Sequence, residues 1–445
     1  CDASQDYGNN DIMVVLDVTG SMNCRPGVSS GCSSEQSGSK ISRLRAGAMG
    51  LYRALENAND TRTRFGFMPY SSNVNVGRDL NASWLRNPAT YSQNICVTRY
   101  DWRGNPYQDC TDNGYQMNSV NHSNSWFNSW RGNGSHTSNV TTGCIEERAT
   151  IGNSGSPISI STSVSRDDID VVSTSDPARQ WSPFDASAVE DESNAYCPRP
   201  ARRLATYANE TAFQAEVNRA TGYVAGSTYH DIGMIWAMRY LSSTGMFAAD
   251  NPTEWNDVPV SKHIVYLTDG TISVSDDLYT TYGVEERERR LGTSGSQNQR
   301  HVDRFLSACT RAKSMGITVW VIALAEDDTD DIRPCASSGE HFYMVGETFE
   351  SGNRDIIKEY VGADRLDGQF DFPLRAVLVE TLLRRTGTMN DLDVFLSTND
   401  NYYPGIMSTF VGNHDIARVI HNALDQPWGA WDKGDPWGGA AAAAD

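Results

Sequence analysis

Asp11-Ile-Met-Val-Val-Leu-Asp17-Val-Thr-Gly-Ser21 is the stretch whose reading decides the fold. Ile12 to Leu16 is an unbroken apolar run closed by an acid, the pattern of a strand buried on both faces within a parallel sheet. Beyond it, Asp17, Thr19 and Ser21 place a carboxylate and two hydroxyls on alternate residues, and Gly20 permits a tight turn between them. In an open parallel sheet the carboxyl ends of the strands are where ligands bind. Alternate oxygen-bearing side chains converging there suit a hard cation, since Mg²⁺ takes six oxygens at about 2.0–2.1 Å and keeps several waters.

Working outward, Ile41, Leu44, Met49, Leu51 and Leu55 recur at near-helical spacing, so Lys40 to Asn57 reads as an amphipathic helix. Arg64 to Pro69 is a second strand, completing a strand–helix–strand unit. The pattern returns later. Helices are expected over Ala212 to Ala220, Asp231 to Leu241 and Val302 to Ser314, and strands over His263 to Asp269 and Gly316 to Leu324. The expected class is α/β, a doubly wound, mostly parallel sheet. From Ser71 to Tyr207 periodicity dissolves into Asn, Ser, Gly, Thr and Trp, and a stretch that long is an insertion rather than a simple loop. It is expected to be irregular.

The 445 residues suffice for two or three domains, and no apolar run approaches the roughly 20 residues of a membrane span. A core strand follows Cys1 almost at once, which leaves room for a signal or anchor segment to have been removed. The formal charge of −19 repels nucleic acid and anionic lipid and favours cations; no Lys/Arg cluster opposes it, so nucleic-acid binding is set aside. None of the nine cysteines forms a Cys-x-x-Cys pair, which argues against zinc. Cys24 to Cys32, Cys96 to Cys110 and Cys309 to Cys335 look like local disulfide loops, and Cys96, Cys110, Cys144 and Cys197 are expected to staple the insertion. Cys1 is the odd one left over. This usage points to an oxidising compartment, extracellular or in the cell envelope.

Two more groups join Asp17, Thr19 and Ser21. Thr228, in Gly226-Ser-Thr-Tyr-His-Asp-Ile-Gly233, stands just before a helix, and Asp269, in Leu267-Thr-Asp-Gly270, ends a second apolar strand. Singly, each has an ordinary use as a helix cap. His230 beside Thr228 reads as a packed or supporting histidine rather than a ligand. Together the pieces resemble the metal-ion-dependent adhesion site of von Willebrand factor A domains, whose fold is Rossmann-like. Thr19 stands where that family usually has serine. The resemblance implies that Thr19, Ser21 and Thr228 touch a Mg²⁺ (or Mn²⁺ or Ca²⁺) ion, that Asp17 and Asp269 bridge to it through water, and that a partner's acidic residue takes the remaining position. Phe67-Met-Pro-Tyr-Ser-Ser-Asn-Val-Asn-Val-Gly77, Ser227 to Trp236 and Gly316 to Ala323 resemble, more narrowly, TadG-type proteins of tight-adherence pilus assembly. That likeness covers roughly residues 10 to 345 and implies pilus or envelope partners. Membrane attachment is expected only through an N-terminal anchor, which the family carries and this sequence does not show.

After about Phe342 the character changes. Val345-Gly-Glu347-Thr-Phe, Leu366-Asp-Gly-Gln-Phe-Asp-Phe-Pro-Leu-Arg375 and Thr409-Phe-Val-Gly-Asn-His-Asp415 resemble the α-amylase family of glycoside hydrolases. Carried over, Glu347 would be the general acid, with His414 and Asp415 at the sugar. A retaining glycosidase also needs a second carboxylate about 5–5.5 Å from the first. The family's nucleophile lies upstream of its acid, where this chain has the other domain, and Asp367 falls downstream. Nor can this segment close an eight-stranded barrel, which takes about 250 residues. The three residues therefore stand as sugar-contact remnants and no catalysis is expected.

The expected organisation is a metal-binding domain over residues 1–70 and 208–345, the insertion 71–207, an α-amylase-like segment 346–437 forming part of a (β/α)8 barrel, and a featureless tail 438–445. The leading function is cation-dependent adhesion or pilus assembly. The alternatives are a carbohydrate-active protein and a structural subunit of a surface fibre.

Overall fold

The computed structural model describes residues 8–56, 62–110, 114–123, 143–150, 158–189, 195–270, 272–324, 329–345, 354, 358, 368–370, 372–383, 386–399 and 406–408. Cys1, Glu347, Asp367, His414, Asp415 and the tail 438–445 lie outside the described residues. The chain divides into two compact units, Cys1–Phe342 and Tyr343–Asp445.

The first unit is mixed α/β with a mostly parallel central sheet. Its strands are β1 (Asn9–Asp17), β2 (Thr63–Tyr70), β3 (Arg202–Ala205), β4 (Val258–Thr268) and β5 (Ile317–Leu324), in spatial order β5-β4-β1-β2-β3. All neighbours run parallel except β3, which is antiparallel to β2. The chain moves outward from β1 to β2 and β3, then returns to the other side of β1 for β4 and β5. The β1/β4 boundary is therefore the point where the winding reverses, and the carboxyl ends of those strands border the resulting crevice.

Four helices cover the sheet: α1 (Lys40–Glu56), α2 (Glu210–Ala220), α3 (His230–Leu241) and α4 (Gln297–Ser314). Ile12, Val14 and Leu16 of β1 join Phe65 and Phe67 of β2 in one core with Ile41, Leu44, Met49 and Tyr52 of α1 and Phe213 and Val217 of α2. Successive strand side chains point to opposite faces, so Met13 and Val15, both fully buried, face the α3 side. Burying each such side chain contributes about 1.5–3 kcal/mol, and Val14→Asp would place an unpaired charge between two layers. Asp11, at the other end of β1, is buried but answered by Arg64 at 2.7 and 2.6 Å.

The expected elements appear with small shifts at their ends. Two elements start well upstream of expectation: α4 at Gln297, where the Ser296 side chain caps it, and β4 at Val258, where it forms a hairpin with Glu254–Trp255. Trp255 pairs with Val258 across Asn256 and Asp257, which sit at φ 50° and 62°, the left-handed pair of a tight hairpin turn.

The expectation of an irregular 71–207 insertion is corrected in two respects. First, the segment has order of its own. Ala89–Asn94 pairs with Tyr115–Val120, Val97–Tyr100 with Pro106–Asp109, and Ile145–Glu146 with Ser182–Pro183. A helix over Arg166–Asp170 opens on a reciprocal cap between Ser165 and Asp168. A second core gathers Tyr91, Phe184, Val189 and the Cys144–Cys197 pair with Tyr279 and Val284. Second, β3 lies inside the segment yet belongs to the central sheet. Strands of two to six residues are too short for periodicity to reveal, and pairing decides them.

Disulfides close Cys24–Cys32, Cys96–Cys110, Cys144–Cys197 and Cys309–Cys335. Among the described residues no helix is long and apolar enough to cross a membrane.

In the second unit Val345 pairs in parallel with Gly368, and Gly368–Phe370 in parallel with Ile406–Ser408. Helices Phe372–Leu378 and Met389–Asn399 lie between those last two strands in sequence. This is parallel strand–helix–strand architecture.

Candidate metal centre

Register brings the first pieces together. Asp17 pairs with Tyr70 across β1/β2, and Leu16 pairs with Leu267 across β1/β4, so Asp17, Tyr70 and Thr268 finish at one level. The Asp17 carboxylate is fully buried. It accepts from the Thr19 backbone N–H at 3.0 Å, the Thr268 hydroxyl at 2.8 Å and the Tyr70 hydroxyl at 3.2 Å. Burial first, and then the negative charge of Asp269, push its pKa up to about 7 against those hydrogen bonds. The Asp269 charge thus adds to burial in making Asp17 resist ionising.

The hydroxyls come from the turn after β1. Thr19 Oγ1 and Ser21 Oγ are 3.1 Å apart, where Gly20–Asn23 coils into a single tight helical turn. Gly20 N–H donates to the Gly226 carbonyl at 3.0 Å and Ala225 N–H to the Val18 carbonyl at 2.9 Å, tying this turn to the loop that carries Thr228. Thr228 is buried, its backbone clasped in both directions by Ser273 at 2.8 and 3.2 Å. The three segments singled out in the sequence are thus joined by direct hydrogen bonds at the β1/β4 reversal.

His230 supports the site from behind, buried at the start of α3. Its Nδ1 lies 2.7 Å from the Tyr70 hydroxyl and its Nε2 lies 3.3 Å from the Gly270 carbonyl. Burial lowers its pKa to about 4, so the ring is neutral at pH 7. One turn along α3, a Cβ at Gly233 would stand 2.7 Å from the Tyr70 ring, so only glycine lets Tyr70 reach Asp17.

Sequence reasoning missed Lys40. Its Nζ lies 3.0 Å from Asp269 Oδ2, with Lys40 fully buried and Asp269 nearly so. The Ser39 hydroxyl accepts the Ser42 N–H at 3.2 Å, fixing the start of α1, and Lys40 N–H donates to the Cys24 carbonyl at 2.8 Å. The Cys24–Cys32 loop therefore positions the lysine. Ser71 and Ser72 were also passed over. Both hydroxyls are buried with no hydrogen-bond partner among the described residues, and both would lie within 3.2 Å of a Cβ placed on Gly226. Serine and lysine carry no spacing signal for such a role; only the fold aims them here.

The donor set is oxygen throughout: two carboxylates and three hydroxyls. Among the described residues no three His, Cys, Asp or Glu side chains converge on a point, so the chemistry of a thiolate or imidazole site is not offered. The Lys40 ammonium on Asp269 shows that this place takes positive charge. By donor chemistry the residues fit a hard divalent cation. Apart from the site, a cavity of about 550 Å³ runs beside β3, lined by Arg78, Arg202, Arg203, Tyr207 and Glu216 among others.

No protein-family profile matches the chain, and no curated protein does. Among solved structures, it is similar to the pilus adhesin SpaC from Lactobacillus rhamnosus GG at 13% identity and TM-score 0.33, covering 76% of this chain and 29% of that one. It is similar to the adhesive tip pilin GBS104 from Group B Streptococcus agalactiae at 10% identity and TM-score 0.34, covering 76% and 94%. A cyclic α-maltosyl-(1→6)-maltose hydrolase from Arthrobacter globiformis follows at 17% identity and TM-score 0.20, covering 29% and 31%. The chain spans less than a third of the length of SpaC. Likenesses this distant identify no relative.

Proposed function

We propose that residues 10–345 form a von Willebrand A-type domain, related to TadG-type pilus-assembly proteins, that holds one divalent cation and uses it to grip an acidic group on a partner protein. The observation that carries this reading is the meeting of Asp17, the Thr19/Ser21 hydroxyl pair and the Thr228 loop at the point where the sheet reverses its winding.

Each residue has a task in that reading. Thr19, Ser21 and Thr228 offer neutral oxygens, which hold a cation without cancelling its charge. Asp17 and Asp269 supply the negative field. Asp17 has both carboxylate oxygens engaged by Thr19, Thr268 and Tyr70, which suits contact through water rather than direct ligation. Tyr70 and His230 keep Asp17 in place. When bound, Mg²⁺, Mn²⁺ or Ca²⁺ would offer a coordination position and positive charge to a partner's carboxylate. Coordination is the whole of the chemistry, with no covalent step. Four disulfides and the −19 charge agree with an extracellular or cell-envelope setting.

The test is thermal unfolding with Mg²⁺ or Mn²⁺ against EDTA, together with Mn²⁺ titration followed by electron paramagnetic resonance. The wild type should gain stability with the cation, as any ligand that binds only the folded state confers. Asp17→Ala and Asp269→Ala should abolish the gain. An EDTA-insensitive wild type with no Mn²⁺ binding would end the reading.

A further inference from the structure

Lys40 is an awkward residue to find where it stands. It is the first residue of α1, where the helix dipole presents its positive end, and a cation there is disfavoured. Burial of an ammonium adds a larger penalty unless it is paired. Exposure to solvent would spare the burial cost and screen the dipole, yet Lys40 is fully buried with its Nζ on Asp269. Ser39 capping and the Cys24 carbonyl hold its backbone in that position.

We propose that Lys40 competes with the divalent cation for Asp269: its ammonium holds this carboxylate when the site is empty and gives it up when a cation enters. The inference rests on the cation reading above and assigns that site its control. Charge counting decides the direction. Even with Asp17 and Asp269 both ionised, the case most favourable to a cation, Lys40 leaves these three side chains with one negative charge. A dication added to that cluster makes it net positive, whereas without Lys40 the same dication brings it to neutrality. Like charges sharing one carboxylate at low dielectric repel strongly. Lys40 therefore weakens cation binding and at the same time supports the empty site, where two buried acids would otherwise face one another. The consequence is a reversible site, stable without its cation, whose occupancy follows cation concentration instead of being locked in at folding.

The experiment compares wild type, Lys40→Met and Lys40→Gln by Mg²⁺ titration calorimetry and by thermal unfolding in EDTA and in excess Mg²⁺. Both variants should bind Mg²⁺ about tenfold or more tightly than wild type. Both should also unfold at lower temperature in EDTA and show a larger Mg²⁺-induced rise. Variants that fold only with Mg²⁺ present would support the proposal equally. Binding by the variants that equals or falls below a measurable wild-type affinity overturns the role of Lys40 and leaves the cation reading standing. Absence of Mg²⁺ binding in wild type and variants alike removes the cation reading and this inference with it. Should neither variant fold, lysine modification of wild type followed by mass spectrometry decides. Lys40 should be protected in EDTA and at least twofold more reactive in Mg²⁺, and unchanged protection refutes the competition.

Discussion

Replacing Arg239 by methionine should break a buried ion pair that fastens the 71–207 segment to α3. Arg239, on α3, donates from Nη1 and Nη2 to the two oxygens of Glu147 at 2.8 and 3.0 Å. It also donates to the Asp168 carbonyl at 2.9 Å and stacks over Trp236 at 4.6 Å. Both members of the pair are 1% exposed, so solvent screens little of the interaction. Breaking a buried pair from one side costs about 3–5 kcal/mol, because the remaining charge is stranded. Glu147 keeps the Trp181 indole N–H at 3.3 Å and the fields of Arg148 and Arg304, which places the expected loss near the lower end, about 3 kcal/mol. The assay is urea unfolding at pH 7, with the double replacement Arg239→Met/Glu147→Leu alongside. The double variant should recover most of the loss, since neither charge is then stranded.

The pH dependence supplies an independent check. Burial alone would raise the pKa of Glu147, but the charge and hydrogen bonds of Arg239 override it and hold the carboxylate below its usual range. A depressed acid stabilises the fold above its unfolded pKa, and that contribution fades as pH falls through the folded value. In Arg239→Met burial prevails and the pKa rises instead, so Glu147 takes up a proton before the unfolded chain does. The gap between wild type and variant should therefore narrow from pH 7 towards pH 4. A single variant within about 1 kcal/mol of wild type at pH 7, or a double variant no better than the single, refutes the reasoning.

Two further outcomes are expected. Gly233→Ala drives a methyl to 2.7 Å from the Tyr70 ring and should cost about 1–3 kcal/mol while reducing the Mg²⁺-induced stabilisation; a wild-type melting curve would contradict it. Joint replacement of Cys144 and Cys197 by serine releases a loop spanning a sequence separation of 53 and should lower unfolding free energy by about 4 kcal/mol in denaturant titration.

Where side chains repeat with a local period, the chain could be read directly. The apolar run Ile12–Leu16 and the stripe Ile41, Leu44, Met49 announced β1 and α1 because burial on two faces and on one helical stripe leave distinct patterns. Asp17, Thr19, Ser21, Thr228 and Asp269 could be singled out as candidates for a related reason: they follow a strand end or precede a helix, where a short motif shows. The three short cysteine loops were legible because close spacing in sequence limits how far apart the partners can lie. The insertion was not, since its two- to six-residue strands acquire their identity from partners far along the chain, such as Arg202 beside Phe67.

From the sequence by itself came the α/β class, the central strands and helices, the acidic, disulfide-bearing character of the chain and the oxygen donors of the candidate site. Tertiary structure alone decided that β3 closes the sheet antiparallel and that Tyr70, Thr268 and His230 hold Asp17 in place. It alone set Lys40 against Asp269 across a separation of 229 residues. Local motifs arise from the period of a strand or helix, which a reader of the chain can count. Contacts between distant residues depend on register and crossover, and these are fixed only when the whole core packs.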